Sequence, residues 1–440
     1  MPLYNIVPKD LLFFRDGRPM GESGGTGYGA IWPHPAIFFD AVHAAFYRAY
    51  PLKQDWEQVH LSRPESGERR LEKRFGALKT VGPFPVKDRN WYFVSPMDAA
   101  MYDTSPMVPI KDSLFKSNLP HPLKYVVGRL VDQSKNENEK SKEEKGTLWN
   151  KVAFETYLRR QNDKACAFIA EWKEIMDSEW YTGIGIDSIN QVQDGERIYS
   201  AEYIRLNENV SLGTFASLKL KSDPGKDAMD YLFSDSKVIV LGGQQRACMV
   251  EKLEKTDITN YLPVAPEVKG NKVKWILLSP AIFIRMQDNA GNTNHPGGWL
   301  PNWVRYEDGK VMLTAGPGKN KAKRKGLSEG RQINATLVAA VVGKPQVISG
   351  WSTDFVWDSQ KHEYAVIKNG ANSTFLAVPA GSVYYFEAPT SEDAMLLADA
   401  LNWHGSARSE VYEIINRRST LFGEKGFGIG VCGEWELREI

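Results

Sequence analysis

Three cysteines in 440 residues, Cys166, Cys248 and Cys432, are too scattered and odd in number for a disulfide framework or a zinc cluster. Each is expected to be a small buried residue. No apolar run reaches the eighteen residues of a membrane-crossing helix, and the amino terminus shows no basic stretch followed by an apolar one. The expectation is a soluble, cytoplasmic protein with no membrane partner. Excess charge is missing too: 55 Lys plus Arg against 54 Asp plus Glu leave +1, so any polyanion must meet a local patch. The seven histidines are dispersed, and no histidine and aspartate pair of the phosphodiesterase or cyclase kind occurs, so neither metal nor cofactor is expected. The loop Gly21 to Gly29 does not match G-x-G-x-x-G, and no Gly-Lys-Ser/Thr occurs among the carboxy-terminal glycines.

What is present suits a multidomain α+β protein. The length allows two or three domains, and 42% hydrophobic residues with 11% aromatics can fill sizeable cores. Tyr4 to Phe14 reads as extended, and Pro33-His-Pro35 opens a helix with Phe38, Val42, Ala45, Phe46 and Ala49 on one face. The spacing of Phe168, Ile169, Trp172, Ile175 and Met176 predicts a helical segment over Leu148 to Met176. Apolar β-branched or aromatic runs predict strands at Lys237 to Leu241, Lys274 to Leu278, Thr336 to Val342 and Ser382 to Phe386. A helix capped by Ser391 runs toward Trp403, and Glu410 to Arg418 reads as a second helical stretch.

Two segments look solvated. Residues 132–147 carry nine charged and no apolar side chains, so they cannot bury surface to offset their ordering entropy. Gly316 to Gly326 holds five cations without an acid, among them Lys321, Lys323, Arg324 and Lys325; a solvated surface and a nucleic-acid contact are both open there.

Leu421 to Glu439 is the most informative stretch, a glycine-studded loop running into a terminal strand. Gly423, Gly426, Gly428, Gly430 and Gly433 let the backbone take positive φ and lie against another backbone. Lys425 offers a cation for a phosphate and Phe427 a ring for a base. A bent edge strand that merely turns a corner is the competing explanation.

Eight segments, in order, carry a resemblance. They are Leu12-Phe-Phe-Arg-Asp-Gly-Arg-Pro19; Val81 to Lys87 with Ser95-Pro-Met-Asp98; Thr182 to Asp187 with Ile198-Tyr199; Leu241-Gly-Gly-Gln-Gln-Arg246; Leu278-Ser-Pro-Ala-Ile-Phe283; Ile348-Ser-Gly-Trp351; Pro379 to Phe386; and Gly426-Phe-Gly-Ile-Gly430. Together they resemble the third subunit of the Cmr (type III-B) CRISPR effector complex, a member of the RAMP superfamily. The resemblance implies two ferredoxin-like (RRM-like) RAMP domains with insertions, here residues 1–235 and 236–440. It implies a protein without nuclease activity that holds the 5′ repeat-derived handle of the guide crRNA. Its implied partners are the large polymerase-like subunit and the backbone RAMP subunits, with target RNA met indirectly. The superfamily's glycine-loop contact falls on Gly423, Lys425, Gly426, Phe427, Gly428 and Gly430. Arg15, Arg18, Arg246, Ser349 and Trp351 match motifs placed near the same RNA.

A guanidinium grips phosphate bidentately or stacks on a base, which suits Arg15, Arg18 and Arg246. Asp16 and Glu22 keep an ion-pair role open for Arg18, whereas no acid follows Arg246 before Glu251. Trp351 reads as core, with stacking as the minor alternative. The alternative function is a repeat-RNA processing endoribonuclease, whose acid–base chemistry would fall to His34 or His43. His43 lies beside Phe39 and Tyr47 on a helix flank, and His34 sits between two prolines.

Overall fold

Leu3–Pro8 forms a strand in the computed structural model because Tyr4 and Ile6, two residues apart, bury the same face. The structure describes residues 1–15, 26–49, 77–99, 107–111, 123–129, 146–159, 169–186, 193–219, 225–235, 237–253, 257–288, 291–316, 328–358, 363–371 and 373–439. The described chain is a mixed α/β protein with mostly antiparallel sheets and few helices. It divides into two compact units, Met1–Pro83 with Met176–Lys255 and Val347–Leu376, and Phe84–Ile175 with Thr256–Gln346 and Ala377–Ile440. The boundary expected near residue 235 falls inside the Met176–Lys255 segment of the first unit.

In the first unit Ala247–Lys252, Leu3–Pro8 and Val210–Ser217 are antiparallel neighbours, with Tyr4 opposite both Lys252 and Thr214. The stretch Lys79 to Pro83 follows beyond Val210–Ser217, where the Thr214 hydroxyl donates to the Val81 carbonyl at 2.8 Å. Helix Pro35–Ala49 begins at a proline as expected and buries Phe38, Val42 and Phe46. It packs with the short helix Ala228–Asp235, whose Phe233 ring lies 5.5 Å from that of Tyr4. A long hairpin, Met176–Ile186 against Gln193–Leu206, belongs to the same unit.

The second unit is centred on Thr336–Val341, Val383–Glu387, Lys272–Leu277 and Gly430–Glu434, antiparallel in that spatial order. Helix Ser391–Leu401 buries Ala394, Leu397, Ala398 and Leu401 in a core that includes Trp275, Leu277, Tyr384 and Phe386. Its cap is Thr390, whose hydroxyl accepts from the Asp393 amide, one residue earlier than the sequence suggested. Ranked by position along the chain, the four strands named in each unit read fourth, first, third, second; in the first unit these four belong to a larger sheet, which Val238–Val240 extends beside Ala247–Lys252. The first unit has helices after its first and third strands; the second has one after its third, and none among the described residues between its first and second.

Two expected helices are corrected. Over 148–176 the described residues form strand Leu148–Asn150, helix Lys151–Leu158, strand Ile169–Ala170 and a single 3-10 turn, and Met176 begins a long strand. Asn150 caps the helix, its side chain accepting from Ala153 N at 3.0 Å. Ile169 pairs across to Trp149, so sheet pairing overrides the helical spacing. Residues 410–418 are also not helical. Instead they close the end of helix Ser391–Leu401: Asn416 Nδ2 donates to the Asp399 and Asn402 carbonyls, and Arg418 Nε to that of Ala400 at 2.6 Å. Those carbonyls have no partner within the helix, so a non-helical segment satisfies what a second helix would leave unpaired. Most of the charged segment 132–147 lies outside the described residues.

Candidate nucleic-acid interface

The terminal glycine loop is shaped by close approach. Phe422 (φ +60°), Gly426 (φ +102°) and Gly428 (φ +74°) are left-handed, and Gly423–Lys425 form a 3-10 turn between the first two. A Cβ on Gly428 would overlap the backbone of Arg418 and Ser419, and one on Gly430 would overlap the Trp275 indole. Both positions require glycine for packing. The loop rests on Leu278 to Phe283, another of the eight segments. The Ser279 hydroxyl donates to the Gly426 carbonyl at 2.8 Å and accepts from Ile429 N at 3.0 Å, while Gly428 N donates to Pro280 O at 2.8 Å.

Within this turn the side chains are not disposed as the sequence suggested. Phe427 is fully buried, so in this arrangement its ring has no face for a base and serves as an anchor. Its ring centroid lies 5.9 Å from that of Phe422, which is half-buried, and the Lys425 Nζ sits 5.0 Å from the Phe422 ring centre. Gly423 packs toward Arg417, and burial pushes the Arg417 and Arg418 guanidiniums down to about 10. Glu424 partly offsets this at Arg417. Sequence reasoning missed Phe422, Arg417 and Arg418 because it assigned the arginines to a helix end. Two adjacent arginines immediately before Ser-Thr-Leu-Phe-Gly in a nearly neutral chain were the available signal.

In the first unit the Leu241 to Arg246 turn meets Leu12 to Arg15. Gly242 (φ +74°) leaves no room for a Cβ against the Phe13 carbonyl, to which Gly243 N donates at 2.9 Å. Gln244 and Gln245 are also left-handed, at φ +55° and +51°. Tyr203 donates its hydroxyl to Gln244, and the Arg246 guanidinium lies 5.1 Å from the Tyr203 ring centre. Arg246 has an acid that the local sequence hid: its Nη1 is 3.2 Å from Asp10 Oδ2. Arg15 is exposed and bridges to Gly29. Ser349 is half-buried, and Trp351 opens the strand Trp351–Asp358. Arg18, Lys321, Lys323, Arg324 and Lys325 lie outside the described residues.

His43 stacks on Phe39 at 5.8 Å and meets Tyr47 edge-on at 5.0 Å. His34 is half-buried just before the helix. Burial pushes the Cys248 thiol up to about 12, and that of Cys432 well up, which suits structural residues. Among the described residues no group of three or more His, Cys, Asp or Glu side chains could hold a metal ion, and no helix is long and apolar enough to cross a membrane.

Three pairs of the eight segments therefore meet. Gly426 to Gly430 rests on Leu278 to Phe283, Leu241 to Arg246 on Leu12 to Arg15, and Ser95 to Asp98 joins Pro379 to Phe386 through Met97 N to Gly381 O at 2.9 Å. A family model described as CRISPR-associated protein (Cas_Cmr3) matches residues 4–435. The chain belongs to the Cas_Cmr3 family. This agrees with the resemblance to the third subunit of Cmr complexes carried by the eight segments. Two cryo-EM structures of the type III-B Cmr-beta complex contain a similar chain, one bound to cognate target RNA and AMPPnP and one to cognate target RNA. Each matches at 13% identity and a TM-score of 0.40, over 87% of this chain and 86% of the other. A chain in the crystal structure of the Csm3-Csm4 subcomplex of the type III-A interference complex matches at 12% identity and a TM-score of 0.32, over 89% and 94%. No curated protein matches.

Proposed function

We propose that this Cas_Cmr3 family member is a non-catalytic, cytoplasmic RNA-binding subunit of a type III-B effector complex. It holds the 5′ repeat-derived handle of the crRNA, docks onto the large polymerase-like subunit and the backbone RAMP subunits, and meets target RNA indirectly. The observation that carries the reading is the loop of residues 417–430. Close-packed glycines and Ser279 hold it in one shape, and it presents Lys425 beside the Phe422 ring, with Arg417 and Arg418 buried at its start, in a chain of net charge +1. Two ferredoxin-like domains are part of the proposal, supported by the order fourth, first, third, second of four neighbouring strands in each unit. The ring packing of His43 against Phe39 and Tyr47 supports a structural imidazole.

Purified protein incubated with labelled repeat-derived RNA tests the reading. Binding that weakens steeply with salt, without cleavage, is expected, because phosphate contacts release counterions. Affinity indifferent to salt would remove the phosphate contacts from the proposal. Cleavage abolished by His34→Ala or His43→Ala would replace it with the processing-endoribonuclease reading.

A further inference from the structure

We propose that Phe422 is the ring on which the glycine loop stacks a nucleobase, with Lys425 beside it for the adjoining phosphate. This rests on the RNA-holding role proposed above and names the contact within it. Between Phe422 and Gly430 the aromatic side chains are Phe422 and Phe427, and only Phe422 reaches the surface. Phe427 lies fully buried beneath it, with ring centroids 5.9 Å apart, and holds it in place.

The backbone supplies a second, independent argument. Phe422 is left-handed at φ +60°, ψ +25°, a conformation disfavoured for a bulky residue. Its carbonyl accepts from the amides of Lys425 at 2.9 Å and Phe427 at 3.3 Å, so the turn keeps it there. Glycine adopts such angles without penalty, and this loop uses glycine at 423, 426, 428 and 430. A phenylalanine at the strained position indicates that the ring itself has a use, since strained residues cluster at functional sites.

The surrounding charge points to the occupant. The Lys425 ammonium lies 5.0 Å from the Phe422 ring centre, covering a face by a cation–π contact. A base arriving on that face displaces a flexible side chain rather than packed core and leaves the ammonium next to the base's own phosphate. The Arg417 Cβ packs toward Gly423, the next residue, with its guanidinium buried, and Glu424 is the one carboxylate of the turn. A flexible cation lying on a half-buried ring that reaches the surface fits single-stranded nucleic acid better than an apolar protein segment.

The test compares wild type, Phe422→Gly and Phe427→Leu by fluorescence anisotropy. Three labelled probes are used: repeat-derived RNA, the same RNA made with abasic riboses, and a short oligoadenylate. Phe422→Gly is expected to bind repeat RNA about 5- to 150-fold more weakly, the range for losing one stacked base. Its thermal midpoint is expected to hold or rise, since glycine relieves the positive φ, and its affinity for abasic RNA is expected to equal that of wild type. Phe427→Leu is expected to lower the thermal midpoint and leave repeat-RNA affinity within about twofold at a temperature where it is folded, because a buried ring stacks no base. Phe422→Gly with unchanged repeat-RNA affinity would overturn the stacking role and leave the handle-binding role standing. A lowered thermal midpoint in Phe422→Gly would mark the ring as a packing residue and also overturn it. Wild type that ignores repeat RNA but binds oligoadenylate in a Phe422-dependent way would overturn the handle reading and keep the stacking. Binding to none of the probes would overturn both.

Discussion

The Arg418 amide donates to the Gly428 carbonyl at 2.7 Å, and at that contact a Cβ on Gly428 would overlap the backbone of Arg418 and Ser419. The hydrogen bond and the missing side chain are one device. It ties the segment that closes helix Ser391–Leu401 to the loop that opens strand Gly430–Glu434. Gly428→Ala is expected to lose about 1–3 kcal/mol for the left-handed backbone alone, with the overlap adding to it. Thermal unfolding of the variant measures this, and an unchanged midpoint would mean that the loop yields without cost.

Phe427→Ala tests the anchoring role of the buried ring. It is expected to cost about 3–5 kcal/mol, the range for emptying a buried aromatic site. Urea unfolding gives the value. A loss below 1 kcal/mol would show that the ring is not packed as described.

Beneath the central sheet of the second unit, Asp98 and Lys274 form a buried pair at 3.3 Å. Both carboxylate oxygens are used further: Asp98 accepts from the hydroxyls of Tyr157 and of Tyr385, the latter at 2.8 Å, and Lys274 Nζ lies 3.6 Å from the Tyr157 ring centre. Lys274→Met leaves Asp98 buried without its cation and is expected to cost about 3–5 kcal/mol. Adding Asp98→Asn is expected to restore part of that stability. Denaturant midpoints of the single and double variants check the coupling.

His404 is fully buried, and its Nε2 accepts from Ala265 N at 3.1 Å, which only the neutral ring can do. Burial lowers its pKa from 6.5 to about 4. Above pH 6.5 both folded and unfolded forms are neutral and His404 makes no pH-dependent difference. Between 6.5 and 4 only the unfolded chain takes up the proton, so stability falls as pH falls, by about 3 kcal/mol in all. His404→Gln is expected to flatten that part of the stability profile. A profile identical to wild type would assign the acid sensitivity elsewhere.

Asp10, whose side chain is 60% exposed, pairs with Arg246 and so competes with any phosphate there. Asp10→Asn is expected to leave stability almost unchanged and to tighten RNA binding about 1.5- to 5-fold, the worth of an exposed pair of 0.2–1 kcal/mol. Titration with repeat RNA at fixed salt decides it. Unchanged or weaker binding would remove Arg246 from the interface.

Local pattern was enough where local physics decided the outcome. The β-branched run at Thr336–Val341, the proline that opens helix Pro35–Ala49 and the glycines that allow positive φ at 426 and 428 were all legible in the sequence. The eight ordered segments identified the family before any fold was visible. Tertiary structure decided the rest, because burial and pairing depend on residues far apart in the chain. Sheet pairing at Trp149 and Ile169 replaced one expected helix, and the helix-end carbonyls of Asp399 and Ala400 hold residues 416–418 on a non-helical path instead of another. An acid 236 positions away answers Arg246. Phe422 and Phe427 are chemically the same side chain five residues apart, and only the packing of the loop onto Ser279 and Pro280 leaves one at the surface and the other inside.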